Sequence, residues 1–176
     1  MHALIDGEWR PHRHDAVYRV DQGRRIVASV PNGDADVFAT PLATLDGPLY
    51  LLYVLHTPRG EARPGRYQSP PLPKTEVLDW LREFSSFLRA DGRFDLWAHD
   101  PQADATLVWD RHNLLFAYGP LERFEAALRE RGFDEGDARA PSPHEHRYRS
   151  EFDDDARRLM ASQTWSYSPL RPDDEQ

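Results

Sequence analysis

Two histidines two positions apart, His144 and His146, lie in the segment 143–148. An extended backbone sends alternate side chains to one face, so we expect His144, His146 and Tyr148 to share one face of a strand. Neighbouring imidazoles bind divalent metal ions or transfer protons. This segment is therefore the first candidate for chemistry in the chain.

A third histidine, His112, is expected at a tight turn between two strands, close to Asp110. Three imidazole nitrogens and one carboxylate oxygen suit a divalent metal ion such as zinc. The candidate metal ligands are therefore Asp110, His112, His144 and His146. With one coordination position open, a bound water could act as the nucleophile of a metal-dependent hydrolase.

Such a hydrolase would also need a general base, and the sequence offers carboxylates at two places. Glu145 directly follows His144 and is expected to face the opposite side of an ideal strand. Asp153 and Asp154 open a predicted C-terminal helix, and they would serve better if the chain folds back over the site.

The His144–Tyr148 pattern also has a purely structural interpretation. The same alternation fits a strand whose histidines are hydrogen-bonded in the core, while Glu145, Arg147 and Arg149 face solvent. Sequence spacing does not say whether His112 meets the later pair, so a structural role, a metal site and small-molecule binding without metal all stay open.

Two further groups of residues near these histidines allow two interpretations. In residues 110–113, Asp110 could orient His112 for acid/base catalysis while Arg111 steadies an anion, or Asp110 and Asn113 could be present only because turns favour them for backbone hydrogen bonds. A second pair, His12 and His14, could complete a site with the later cluster or simply be solvated near the chain start.

A proline-rich segment, 57–73, carries candidate anion-binding residues. It contains five prolines and two glycines without helix or strand periodicity, which is typical of a functional loop or a stiff surface connection. In the first case Arg59, Arg66 and Tyr67 would bind a small anionic ligand. In the second case the arginines are solvated.

Composition limits the classes of function. The chain has 176 residues, a formal net charge of −8 and no cysteine, so thiolate metal sites, disulfides and cysteine nucleophiles are excluded. The acidic balance disfavours general binding to nucleic acid or anionic lipid. The apolar run 49–55 is too short to span a bilayer, and we expect a cytoplasmic protein.

Hydrophobic periodicity predicts a single α+β domain over residues 1–176, a mostly antiparallel β-sheet packed against two main α-helices, with a short C-terminal helix and a docked tail. The predicted order is β structure over 1–56, including 36–40, then the loop 57–73, a helix over 75–91, a three-stranded meander over 94–118, a helix over 120–131, a strand and helix over 144–163, and the tail 164–176.

Nucleotide-binding loops, zinc-binding helices and nucleophile elbows are absent from the sequence. The sequence therefore favours a small binding or interaction module, whose ligand would be a protein partner or a small anion. A metal-dependent hydrolase with the His/Asp site is the alternative, and a divalent metal such as zinc is the cofactor that it would need. An oligomer that uses Trp165 and Tyr167 is a third hypothesis.

Overall fold

The computed structural model describes residues 2–175 and contains a nine-stranded and a three-stranded sheet. The strands are, in chain order, β1 His2–Ile5, β2 Glu8–Pro11, β3 Val17–Asp21, β4 Arg25–Ser29, β5 Tyr50–Leu55, β6 Gly65–Gln68, β7 Phe94–Asp100, β8 Ala105–Trp109, β9 Leu114–Tyr118, β10 Asp134–Glu135, β11 His144–Glu145 and β12 Ser166–Ser168.

The large sheet has the strand order β10-β3-β4-β9-β8-β7-β5-β6-β12. All its neighbours pair antiparallel except β10 and β3, which are parallel. The small sheet has the order β11-β1-β2. The α+β class and the mostly antiparallel sheet that the sequence predicts are confirmed.

Five α-helices accompany the sheets: α1 Ala35–Ala43, α2 Lys74–Glu83, α3 Ser85–Ala90, α4 Leu121–Glu130 and α5 Asp153–Ala161. Their buried side chains join those of the large sheet in one core, which includes Phe38, Trp80 and Phe124. Side chains along a strand point alternately to its two faces, so Phe94, Leu96 and Ala98 of β7 face this core. No helix of residues 2–175 is long and apolar enough to cross a membrane.

The interpretation of 36–40 as β structure is wrong, because these residues lie inside helix α1. The carboxylate of Asp34 accepts a hydrogen bond from the backbone N–H of Asp36 and so caps the helix start. Val37, Phe38 and Leu42 then face the core at helical spacing. The sequence carries this capping signal, but a short apolar run allows either helix or strand.

Two other predicted segments differ in detail. The helix predicted over 75–91 consists of α2 and α3, which meet at Phe84. The segment 57–73 is not entirely irregular. It contains strand β6, which pairs with β5, and Leu72, which pairs with Leu49. The tail is predicted to dock, and in the structure its strand β12 pairs with β6. Residue 176 of the predicted tail lies outside the described residues.

Candidate metal centre

His112 lies at the tip of the β8–β9 hairpin, where Asp110 organises the turn. Oδ1 of Asp110 accepts hydrogen bonds from the backbone N–H groups of His112 and Leu114, at 3.0 and 2.8 Å. Oδ2 lies 2.9 Å from Nδ1 of His112. A neutral imidazole that donates from Nδ1 keeps the lone pair on Nε2, so this contact leaves Nε2 of His112 ready to bind a metal.

His144 belongs to the small sheet, where Ala3 of β1 is its cross-strand partner. Its Nδ1 donates to the carbonyl oxygen of Pro141, three residues earlier, at 2.9 Å. A carbonyl can only accept, so the proton must be on Nδ1 and Nε2 of His144 carries the lone pair. The ring is thus fixed by its own loop.

His146 is held against the turn between α3 and β7. The backbone N–H of Gly92 donates to the carbonyl of Arg147 at 3.4 Å, and the backbone N–H of Arg149 donates to Asp91 at 2.9 Å. A Cβ at position 92 would lie 3.1 Å from Nδ1 of His146, so glycine leaves room for the imidazole. Nδ1 of His146 is buried, with no hydrogen-bond partner among residues 2–175.

The three imidazoles converge although His112 lies more than thirty positions before His144 and His146. One candidate ligand atom from each ring lies within 4.8 Å of the other two, and all three side chains are half-buried. The ring centroids are 4.8, 5.1 and 5.1 Å apart. Nitrogens bound to one tetrahedral zinc would be about 3.3 Å apart, given bonds of about 2.0–2.1 Å. The three ligand atoms would therefore have to approach one another by up to about 1.5 Å to bind one zinc ion.

The electrostatics of the cluster favour the neutral form of His146. Burial first, and then the positive charge that His112, His144 and Arg111 would contribute, lower the pKa of His146 to about 4. Its imidazole is consequently neutral at physiological pH. Neutral imidazole is the form that binds metal ions.

Asp110, a predicted ligand, contacts His112 and is not in the converging group. Both of its carboxylate oxygens are engaged with His112 and with the turn, as described above. The structure thus brings His112, His144 and His146 together and places Asp110 behind His112. A carboxylate in this position fixes the tautomer and the orientation of an imidazole.

The second histidine pair lies next to the cluster. Nε2 of His14 donates to the backbone carbonyl oxygen of His112 at 3.0 Å, and the ring of His12 packs edge-on against that of His14. Burial lowers the pKa of His14. His14 therefore supports the backbone of the hairpin tip, and neither His12 nor His14 belongs to the converging group.

A buried ion cluster, centred on Arg93, supports the segment that carries His146. Arg93 binds both carboxylate oxygens of Asp91, at 2.8 and 2.7 Å, and Glu61 at 3.0 Å. The side chains of Arg93 and Asp91 are 0% exposed and that of Glu61 is 1% exposed. Arg93 also donates to the carbonyl of Arg149 at 3.2 Å. Sequence reasoning missed this cluster, because Asp91-Gly92-Arg93 has the composition of an ordinary helix stop.

The carboxylates predicted as possible general bases form hydrogen bonds with arginines. Asp153 accepts hydrogen bonds from Arg59 at 2.9 Å and from Arg93 at 3.2 Å. Asp154 bonds to Arg157, one turn along α5. Glu145 accepts from Arg147 at 3.1 and 3.2 Å. These carboxylates thus bind arginines of the same chain.

The candidate anion-binding residues have separate internal partners. Besides the contact of Arg59 with Asp153, Arg66 binds Asp174 of the tail at 2.5 Å. The hydroxyl of Tyr67 donates to the carbonyl of Arg63 at 2.7 Å. Arg66 and Tyr67 are consecutive in β6 and so point to opposite faces. Arg59, Arg66 and Tyr67 thus each contact a different part of the chain.

The aromatic residues of the tail pack against aromatic residues of the same chain. The ring of Trp165 lies 6.4 Å from that of Trp80, and Tyr167 lies 5.4 Å from Tyr67, measured between ring centroids. The guanidinium of Arg63 stacks 3.5 Å from the centroid of the Tyr167 ring. Trp165 and Tyr167 are half-buried by these contacts.

Comparisons of the chain with protein-family models, with curated proteins and with solved structures found no match.

Proposed function

We propose that this protein binds one divalent transition-metal ion, with zinc as the best candidate, through His112, His144 and His146. The observation that carries the proposal is the convergence within 4.8 Å of three imidazoles from two segments that are distant in sequence. The contacts of His112 with Asp110 and of His144 with Pro141 support it, because each holds Nδ1 and frees Nε2.

The ligand types decide which metals suit the site. Three neutral nitrogens, with no carboxylate among them, favour zinc, copper, nickel or cobalt over magnesium and calcium, which prefer oxygen ligands. The absence of cysteine from the chain removes thiolates as alternative ligands. The ligand of the binding module that the sequence favours would therefore be a divalent transition-metal ion.

A metal-dependent hydrolase is the second candidate function. It is favoured by the number of protein ligands, because three histidines leave a fourth position for water or substrate on a tetrahedral ion. The half-buried state of the ligands keeps that position within reach of solvent. The hydrolase would still need a base, and the described contacts of Asp153, Asp154 and Glu145 are with arginines.

The test is a zinc titration of tag-free, metal-stripped protein, in competition with a chromophoric chelator. We expect one zinc per chain in the wild type, and a loss of affinity of at least about 100-fold in the double variant His144→Ala/His146→Ala. His99→Ala is the matched control, because His99 bonds to Thr106 on the sheet, outside the cluster. Circular dichroism would establish that the variants are folded.

Two results would overturn the proposal. One is a folded wild type that fails to compete with the chelator for zinc, cobalt, nickel or copper. The other is equal zinc affinity in the wild type and in the folded double variant. If the metal binds, screening of ester and phosphoester substrates against the loaded protein and the double variant would then test the hydrolase.

A further inference from the structure

The face of the large sheet that points away from the core helices carries a continuous ladder of side chains. Strand register places six residues side by side on six neighbouring strands: Gln68, Leu52, Trp97, Val108, Phe116 and Val27. The segment 138–140 covers one end of this ladder, because Ala138 and Ala140 pack with Val27 and Phe116. Leu52 and Trp97 lie beyond that cover and are half-buried.

A pocket of about 390 Å³ lies over this uncovered part of the ladder. We call it the open-face pocket, and it is lined by Tyr50, Leu52, Gln68, Trp97, His99 and Thr106, together with Leu51. Pockets for small molecules span about 300–1,000 Å³ and combine apolar walls with a few polar groups. The open-face pocket fits both criteria.

We propose that the open-face pocket binds a small, uncharged, planar ring compound with polar groups at its edge. The indole of Trp97 and the ring of Tyr50 supply aromatic surface, and Leu52 lies directly opposite Trp97. Aromatic side chains bind flat rings by stacking. This site is separate from the metal centre and does not depend on it.

Polar groups surround the apolar wall on two sides. His99 and Thr106 face each other across β7 and β8, with Nδ1 of His99 3.0 Å from Oγ1 of Thr106. The amide of Gln68 lies on the other side, on β6. Amide, hydroxyl and imidazole groups both donate and accept hydrogen bonds, as the edge of a heteroaromatic ring requires.

The charge of the pocket favours an uncharged ligand. Asp, Glu, Lys and Arg are missing from the described residues that line it, although they make up 30% of the chain. A cation also lies near the pocket, because the guanidinium of Arg66 is over the Trp97 ring, 5.4 Å from its centroid. Its charge is matched by Asp174 at 2.5 Å. A charged ligand would therefore lose hydration without gaining a counterion.

Amide and indole chemical-shift mapping of the metal-free, full-length chain would test the proposal, with adenine and indole as planar probes and cyclohexanol and glucose as non-planar ones. We expect adenine or indole to shift the signals of Trp97, Gln68 and Thr106 with a Kd below about 1 mM. Trp97→Ala should weaken this binding at least about fivefold, whereas Trp9→Ala, which alters an exposed tryptophan on β2, should not.

Gln68→Ala provides a second variant if Trp97→Ala does not fold, because Gln68 is exposed and its loss leaves the core intact. It should also weaken binding of the planar probe. The proposal fails if neither planar probe shifts these signals, if the shifts map elsewhere, or if cyclohexanol or glucose binds at this position as tightly as the planar probes.

Discussion

Oδ2 of Asp110 lies 2.9 Å from Nδ1 of His112, while Oδ1 of the same carboxylate receives two backbone N–H groups of the hairpin tip. One side chain thus shapes the turn and fixes the imidazole that the turn presents. Because the carboxylate can only accept, it selects the His112 tautomer whose Nε2 is free for metal.

Asp110→Asn should weaken zinc binding by about 10- to 100-fold, because an amide N–H₂ facing Nδ1 favours the wrong tautomer. The affinity can be measured by chelator competition. Asp104→Asn is the control, since Asp104 is an exposed turn residue of the β7–β8 hairpin. Equal affinities of Asp110→Asn and wild type would show that this carboxylate does not orient a metal ligand.

Gly92→Ala should reduce zinc affinity by about tenfold or more without unfolding the protein. The new Cβ would lie 3.1 Å from Nδ1 of His146 and would displace the ring. The backbone at Gly92 is not in the left-handed region, so alanine is not strained there. Melting of the metal-free variant within a few degrees of wild type would establish that the fold is intact; unchanged zinc affinity would then argue against His146 as a ligand.

Arg93→Met should destabilise the chain by about 3–5 kcal/mol, because it leaves the carboxylates of Asp91 and Glu61 buried without their cation. Urea unfolding measures this change. Arg82→Met removes an exposed ion pair with Asp79 and should cost less than about 1 kcal/mol. Similar losses in the two variants would mean that the Arg93 cluster contributes no more than a surface pair.

The carboxylate of Asp100 should contribute to the pH dependence of stability. Burial acts to raise its pKa, but hydrogen bonds from the backbone N–H groups of Gly47, Ala103 and Gln102 outweigh burial, and the pKa of Asp100 is lowered. A lowered folded-state pKa means that the stabilisation is present above the unfolded-state value of about 3.9 and is lost as the pH falls through the folded-state value.

Asp100→Asn should therefore destabilise the protein by about 1–3 kcal/mol at pH 7, since its amide N–H₂ cannot accept the Gly47 bond. The difference from wild type should shrink as the pH falls from about 4 through the lowered folded-state pKa of Asp100, because the unfolded wild type takes up this proton before the folded protein does. Urea unfolding at pH 7, 5 and 3 measures it. A difference that is the same at all three values would exclude the ionised carboxylate as its cause.

Local pattern was sufficient for much of the fold. The β7–β8–β9 meander and helix α4 follow periodicities of two and 3.6 residues and have glycine or proline at their ends, so the sequence indicates them directly. Residues 35–43 were ambiguous, because a short apolar stretch fits a strand as well as a helix. Helix α1 is decided by the Asp34 cap and by contacts with the other helices.

The sequence suggested a metal site at His112, His144 and His146, but only the tertiary structure shows that the three imidazoles converge. His112 meets His144 because β11 pairs with β1, and because the 147–149 backbone bonds to the α3–β7 turn. Neither contact leaves a local signal. The ion pairs Arg59–Asp153 and Arg66–Asp174 also join residues that are distant in sequence. Sequence spacing therefore could not show that these side chains already have partners.

X-ray absorption at the zinc edge of the loaded, tag-free protein tests the central claim most directly. We predict three imidazole nitrogens at about 2.0–2.1 Å and one further oxygen ligand, such as water, with the imidazole scattering reduced in His144→Ala/His146→Ala. A zinc coordinated by one imidazole or none, or a spectrum that the folded double variant reproduces unchanged, would contradict a site built from His112, His144 and His146.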